Sequence, residues 1–309
     1  MVKFSVVITV YNKRDYIVET LKSVLAQTYS PFEIIILNDG STDDSETEIL
    51  KFDDDRIHYF TQENRGAGAA RNAAIKKARH PYIALLDADD YWYPHYLETQ
   101  KRAIEKFPEA SVFATGMQKE MNGRRFNNIY SADMSESEIE KFDYFEASLL
   151  DTVLTSSNMV LFHRVFEKSG WYDPSIKSGQ DTDFHIRLGL IYKVVFSKRI
   201  SAVQINREDS LSNRTKTLAE KMDFSAYESF EKNNSPLKRF LDLNRYSLCI
   251  LAKLSDDRAG FEKLYRKINL RHLSKKQRFL LRQPPRILRV LAKTKKGMEK
   301  LGIRWGTFK

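Results

Sequence analysis

Cysteine is nearly absent from this 309-residue chain: Cys249 stands alone. No internal disulfide can form, and a reducing compartment is the expected setting. No apolar run approaches the roughly 18 to 20 residues that a membrane span needs. The opening MVKFSVVITVYN lacks the small-residue cleavage site of a signal peptide and turns polar at Tyr11 and Asn12, so it reads as a buried strand. The cytoplasm is the expected location. There is no internal repeat and no low-complexity segment. Acidic residues are missing from the tail: residues 271–309 hold 13 Lys or Arg against Glu299 alone, net +12, while the other residues hold 38 basic and 40 acidic, net −2. The chain's basic excess of +10 therefore belongs to the tail. The basic tail would suit nucleic acid, but with aromatics scattered and the remainder slightly acidic no nucleic-acid partner is expected.

With 42% hydrophobic and 30% charged residues, the chain has the composition of a globular protein with a substantial core. Short β-rich runs alternate with helical patterns. Residues 4–10 predict a strand, and residues 13–27 carry Ile17, Leu21, Val24 and Leu25 at amphipathic helical spacing. Strands follow at 33–37, 56–60 and 82–86, with helices at 45–52 and 68–78. That order predicts an α/β fold with a mostly parallel, Rossmann-like sheet and helices on both faces. Further on, strands are expected at 111–116, 157–162, 193–197 and 201–205, and helices at 136–150, 165–169 and 181–190. A boundary near residue 215 divides a catalytic domain, 1–215, from a helical, basic extension, 216–309, with helices over 237–254 and 261–268.

Ligands bind such sheets beyond the carboxyl ends of the strands, and the polar clusters fall there. Thr9, Tyr11 and Asn12 end the first strand, "LNDGSTDDS" the second, and "LLDADDYW" the fourth. Asp87, Asp89 and Asp90 must repel unless a cation or hydrogen-bond donors offset them. A hard divalent ion, Mg²⁺ or Mn²⁺, would do so with phosphate and water completing its shell; a solvated acidic turn is the alternative. Tyr11 could stack on a base or pack on its own helix. Asp39 could accept a hydrogen bond from a pyrimidine imide or simply shape a turn beside Gly40. "ENRGAGAARNAAI" carries half of a dinucleotide fingerprint, lacks its third glycine and precedes a strand, so it does not read as an NAD site. Its Arg71 could reach a phosphate or pair with the aspartates. In "SGQDTDF", Asp181 opens a helix, where the dipole favours negative charge; it could act as a base or only cap the helix.

Taken in order, "SVVITVYNKRDYIVETLKSVLAQTY", "FEIIILNDGSTDDS", "NRGAGAARNAAI", "YIALLDADDYWYPHYL" and "GQDTDF" resemble family 2 glycosyltransferases of the GT-A fold over roughly residues 4–212. The resemblance implies a sugar transferase that uses a nucleotide-sugar donor, UDP favoured, with a glycan or lipid-linked acceptor and Mg²⁺ or Mn²⁺ as cofactor. It implies a nucleotide site at Thr9, Tyr11, Asn12, Asp39, Arg71, Asp87 and Ala88, a metal ligand in Asp89 and a catalytic base in Asp181. Gln180 stands where the family usually has Glu. The Q-x-x-R-W motif of processive synthases is broken, with Leu301 ahead of Arg304 and Trp305, which favours single additions. Acceptor loops are expected between 116 and 160. A nucleotidyltransferase and a non-catalytic nucleotide-sugar binder remain alternative readings. In the tail, basic residues alternate with Phe279, Leu280, Leu281, Ile287, Leu288, Val290 and Leu291. That pattern suits either peripheral contact with an anionic membrane through 271–309 or packing on the catalytic domain.

Overall fold

The computed structural model describes residues 1–132, 137–206 and 217–300. Three stretches are parallel neighbours of the first strand, directly or in turn: β1 (Phe4–Val10), β2 (Phe32–Asn38), β3 (Ile57–Thr61) and β4 (Tyr82–Asp87) run in the spatial order β3-β2-β1-β4. Crossover helices α1 (Ile17–Leu25), α2 (Ser45–Ile49) and α3 (Ala67–Ile75) join them. Beyond β4 the sheet becomes mixed. β5 (Tyr91–Trp92), α4 (Tyr96–Lys106), β6 (Val112–Met121), β7 (Arg124–Asn127), β8 (Ile139–Phe142), α5 (Tyr144–Ala147), β9 (Met159–Phe162), α6 (Val165–Ser169), α7 (Gln180–Ile191) and β10 (Val194–Ile205) complete it. The order continues β9-β6-β10-β5, with β9 antiparallel to both β4 and β6.

Period-two alternation sends each strand's side chains to opposite faces, and both faces are buried. Val7, Ile35, Leu37, Ile83 and Leu85 join one core with α3, α6 and α7. Phe4, Val6, Ile8, Ile34, Ile36 and Leu86 join the other with α1 and α4. This double burial explains why the strands read as continuous apolar runs.

Three expected elements differ. The first helix begins at Ile17, not 13, because Asn12 takes a left-handed φ of 52° and is tied to the next loop. Its backbone N–H donates to Ser41 Oγ at 3.0 Å, and its Oδ1 accepts from Thr42 N at 2.8 Å. The expected helix over 136–150 is instead β8 followed by the short α5, with Glu136 outside the described residues. Ile139 is buried, Glu138 and Lys141 are exposed, and the segment pairs with β10, while Asp143 starts α5 afresh by accepting from Phe145 N and Glu146 N. The two strands expected at 193–197 and 201–205 are one, β10, bulged near residues 198–199. Gly116 of β6 makes room for the bulge: a Cβ there would lie 2.7 Å from the Lys198 carbonyl oxygen.

The boundary expected near 215 lies outside the described residues. Residues 217–300 are helical: α8 (Glu228–Glu231), α9 (Ser235–Leu254), α10 (Arg258–Tyr265), α11 (Lys275–Arg282) and α12 (Pro285–Lys300), with short 3₁₀ turns at Leu218–Glu220, Ser225–Tyr227 and Leu270–His272. Asn234 caps α9, accepting from Leu237 N at 2.9 Å, and Pro236 occupies its first turn. The upper half of α9 shares the core of the catalytic sheet, Phe240 packing 5.4 Å from Tyr144 and 5.6 Å from Phe145 between ring centroids. Its lower half builds a separate core with Ile268, Leu273, Leu280, Leu281 and Leu288. Fully buried Asp242, near the middle of α9, ties it to the turn before α11: it accepts from Lys238 Nζ at 2.5 Å and Asn269 N at 3.1 Å and lies 2.8 Å from His272 Nδ1.

Candidate active site

Parallel strands put their carboxyl ends side by side, so Thr9 faces Asp87 in register and Val10 faces Asn38. A cleft of 1830 Å³ opens above them, and its lining includes Thr9, Tyr11, Asn12, Asp39, Arg71, Asp87, Ala88, Asp89 and Asp181. Every residue singled out from the sequence therefore meets in one place.

Asp39 follows β2 at a turn that only glycine can complete: Gly40 has φ 71°, and a Cβ there would lie 2.8 Å from Asn64 N. The buried Asp39 carboxylate accepts from Gln62 Nε2 at 2.6 Å and from the backbone N–H groups of Arg65 and Gly66, each at 3.0 Å. It pins the loop that leads into α3, and a carboxylate has capacity for one further donor. Tyr11, by contrast, is 46% exposed and lines the cleft.

Arg71 rises from α3 and is buried. Its Nη2 donates to Asp87 Oδ1 at 2.7 Å, and its Nη1 lies 3.2 Å from Asp181 Oδ1 without an aligned hydrogen bond. Burial opposes the guanidinium charge, but Asp181 and Asp87 outweigh it and hold Arg71 protonated. Asp181 sits in the first turn of α7, after Gly179 at φ 101°, and accepts from Ser156 Oγ at 3.0 Å. Its neighbour Gln180 is buried with no partner for Oε1 among the described residues. A glutamate there would add a further negative charge to a cleft already lined by five aspartates, and the amide adds none.

The three aspartates after β4 separate by role. Asp90 turns inward, accepting from Ser157 Oγ at 2.5 Å and Ile205 N at 2.8 Å, and burial together with Asp87 and Asp89 pushes its pKa well above the ordinary carboxylate value. It anchors the turn to β10. Asp87 meets Arg71. Asp89 meets Lys13, whose Nζ lies 2.5 Å from its Oδ2. Among the described residues no three His, Cys, Asp or Glu side chains cluster as a closed metal cage. A hard divalent ion needs only one or two carboxylates when phosphate oxygens supply the rest, so the all-oxygen Asp89 fits that limited part, with Lys13 competing for the same carboxylate.

The motifs quoted above contain Lys13, yet nothing in their pattern marked it; its place directly after a strand-end Asn was the available signal. His185 carries no signal in the sequence either. It lies one turn beyond Asp181 on α7, and burial pulls its pKa down to about 4. The cleft draws on the expected 116–160 segment at Lys119, Met121 and Thr152, but also on α9 and the turn before α11, which no sequence pattern announced.

Residues 5–170, more than half of the chain, match the family model described as Glycosyl transferase family 2. An uncharacterized glycosyltransferase of Rickettsia prowazekii (strain Madrid E) is 34% identical over 208 residues, 65% of this chain and 64% of the relative. The UDP-Glc:alpha-D-GlcNAc-diphosphoundecaprenol beta-1,3-glucosyltransferase WfaP of Escherichia coli is 45% identical over 105 residues, 31% of this chain and 42% of the relative. Chondroitin synthase of Escherichia coli is 28% identical over 266 residues, 82% of this chain and 35% of the relative. Each match thus spans less than two thirds of the relative's length. Among solved structures, S. aureus TarS 1-349 in complex with UDP-GlcNAc has the same fold, with a TM-score of 0.59 at 20% identity over 85% of this chain and 89% of that one. The fold is of the GT-A type, and the chain belongs to glycosyl transferase family 2.

Proposed function

We propose that the chain transfers a sugar from a nucleoside-diphosphate sugar to an acceptor hydroxyl, with inversion at the anomeric carbon. The observation that carries this reading is the convergence of Asp87, Arg71 and Asp181 at the strand ends, above an exposed Tyr11. In this reading Asp181 takes the acceptor's hydroxyl proton as that oxygen attacks the anomeric carbon. The bond to the diphosphate breaks on the opposite face, so an α-linked donor yields a β-linked product and a nucleoside diphosphate. Tyr11 stacks on the base and Asp39 accepts from its imide, while Thr9, Asn12, Asp87 and Ala88 line the nucleotide. Arg71 keeps Asp87 and Asp181 close despite their like charges. UDP is favoured: WfaP is named for UDP-Glc, and TarS was solved with UDP-GlcNAc. Mg²⁺ or Mn²⁺ held at Asp89 would supply positive charge to the leaving diphosphate.

WfaP is named for a diphosphoundecaprenol-linked acceptor and chondroitin synthase for a polysaccharide; a glycan or lipid-linked acceptor in surface-glycan synthesis is the corresponding proposal here. No helix among the described residues is long and apolar enough to cross a membrane. Contact with the inner face of a cytoplasmic membrane would instead use α11 and α12, where Phe279, Ile287 and Val290 are exposed beside basic residues.

Gln180 favours one other reading, a nucleotide-sugar binder without turnover. A thermal-shift panel of nucleotide sugars with and without Mn²⁺, followed by product analysis, tests both. Stabilisation by a UDP-sugar and release of UDP on transfer support the enzyme. Binding without transfer to any acceptor supports the binder, and release of pyrophosphate from a nucleoside triphosphate supplied together with a sugar 1-phosphate would replace both with a nucleotidyltransferase.

A further inference from the structure

The cleft is larger than one small ligand requires: small-molecule sites occupy about 300 to 1,000 Å³, against 1830 Å³ here. The excess lies toward the C-terminal helices. There the wall is built by Arg239, Leu243, Asn244, Tyr246 and Ser247 of α9 and by Arg271. Arg239, Leu243 and Ser247 follow at intervals of four, which places them on one helix face.

Charges of both signs line the sheet side of this cleft, where Lys13, Arg65, Arg71, Lys119 and Lys177 stand among the aspartates, whereas the helical wall is basic only. The acidic lining residues, Asp39, Asp87, Asp89, Asp90 and Asp181, all belong to strand ends or α7, and the helical wall contributes none. The cations of α9 that point into the fold are otherwise engaged: Arg245 pairs with Glu231 at 2.6 Å, Lys238 with Asp242 at 2.5 Å, and Lys253 donates to the carbonyl oxygens of Leu281 and Gln283. Arg239 and Arg271, both exposed, have no acidic partner among the described residues. Beside them the Tyr246 hydroxyl is buried without a partner among the described residues, and burial pushes its pKa up to about 12, so it keeps its proton and can donate. The wall is held fast by Phe240 against Tyr144 and by Asp242 against His272, next to Arg271.

From these residues we infer that the helical wall is an acceptor subsite for a glycan carrying an oxyanion, gripped by Arg239 and Arg271. Guanidinium forks match phosphate and carboxylate oxygens alike. The oxyanion comes either from a diphosphate linked to a lipid carrier or from a uronate within a polymer. The inference rests on the glycosyl-transfer reading for the word acceptor, but the anion site itself does not.

The test uses the full chain and three probes: an octyl diphosphate-linked N-acetylglucosamine, a chondroitin oligosaccharide, and neutral octyl N-acetylglucosaminide. Binding is measured by calorimetry without donor, and UDP binding is measured separately. At least one anionic probe should bind more tightly than the neutral one, and less so as salt rises. The double variant Arg239→Glu, Arg271→Glu should weaken that probe about tenfold or more, with UDP affinity and thermal midpoint unchanged. Preference for the diphosphate identifies a lipid-carrier source, and preference for the oligosaccharide a polymer. Equal binding of neutral and anionic probes, or full binding by the double variant, overturns the site. Should charge reversal lower the thermal midpoint, Arg239→Ser with Arg271→Ser carries the same expectation. If UDP binds neither protein, it is the glycosyl-transfer reading that fails, and the anionic probes still decide the wall's role.

Discussion

Arg71 and Asp181 come from helices more than a hundred residues apart in sequence, yet Nη1 of one lies 3.2 Å from Oδ1 of the other while the same guanidinium donates to Asp87. One buried cation therefore serves two carboxylates that would otherwise repel. Arg71→Ala should leave them facing each other uncompensated. Losing one partner of a fully buried pair costs about 3 to 5 kcal/mol; Asp87 and Asp181 are each about one third exposed, so about 1 to 3 kcal/mol is expected. Arg71→Lys keeps the charge but loses the fork, and should recover part of the stability and little of the geometry. Chemical denaturation of the three proteins reads the difference; an Arg71→Ala protein as stable as the parent would mean the charges are not coupled.

If Asp181 is the base and Tyr11 a stacking platform, their substitutions should fail in different quantities. Asp181→Asn should lower kcat by about 10² to 10⁴ and leave UDP affinity nearly unchanged. Tyr11→Ala should cost about 1 to 3 kcal/mol of UDP binding with a much smaller change in kcat. Steady-state transfer assays and UDP titrations separate the two. Near-full turnover by Asp181→Asn would remove it from the chemistry.

The parallel half of the sheet was legible because its strands are apolar on both faces and its helices carry clear amphipathic spacing, as Ile17, Leu21 and Val24 do. The residues around the cleft were legible for a different reason: Gly40, Asp39 and Asp87 sit at strand ends, where local turn chemistry and position in the chain coincide. What escaped was set by tertiary contacts. Nothing local says that Asp90 turns inward to Ile205 while Asp89 turns to Lys13, since the three aspartates are equivalent until β10 arrives. The segment 136–150 has helix-forming residues, yet pairing with β10 outweighs that weak local preference. The helical wall of the cleft likewise depends on Phe240 docking against Tyr144, a contact that no spacing encodes.

His185 supplies a pH test. Burial lowers its pKa from 6.5 to about 4, so between those values the unfolded chain binds a proton that the folded one refuses. Stability from this group is fully present above about pH 6.5 and is lost as pH falls toward 4. At pH 5 the loss should be about 2 kcal/mol. His185→Gln, which has no such proton to gain, should show a flatter decline in thermal midpoint between pH 7.5 and 5 than the parent. Parallel declines would show that His185 is charged in the fold or uninvolved.

Membrane contact can be tested without dismantling the fold. Cutting the chain after residue 270 would strip Leu273, Leu280, Leu281 and Leu288 from the third core and Arg271 from the cleft, so a truncated protein could fail for reasons unrelated to lipid. The outer face offers better targets, because Phe279, Ile287 and Val290 are 59%, 44% and 64% exposed and support none of the cores. A nearby Lys or Arg adds about 1 kcal/mol of attraction to an anionic surface, so Arg282 and Arg286 together should matter as much as the apolar side chains. The parent should float with phosphatidylglycerol vesicles at low salt, stay down with pure phosphatidylcholine, and release as salt screens the charges. Arg282→Glu with Arg286→Glu should abolish flotation, and serine at 279, 287 and 290 should weaken it, both with unchanged UDP affinity. A parent protein that stays down with anionic vesicles would leave α11 and α12 as a solvated basic face.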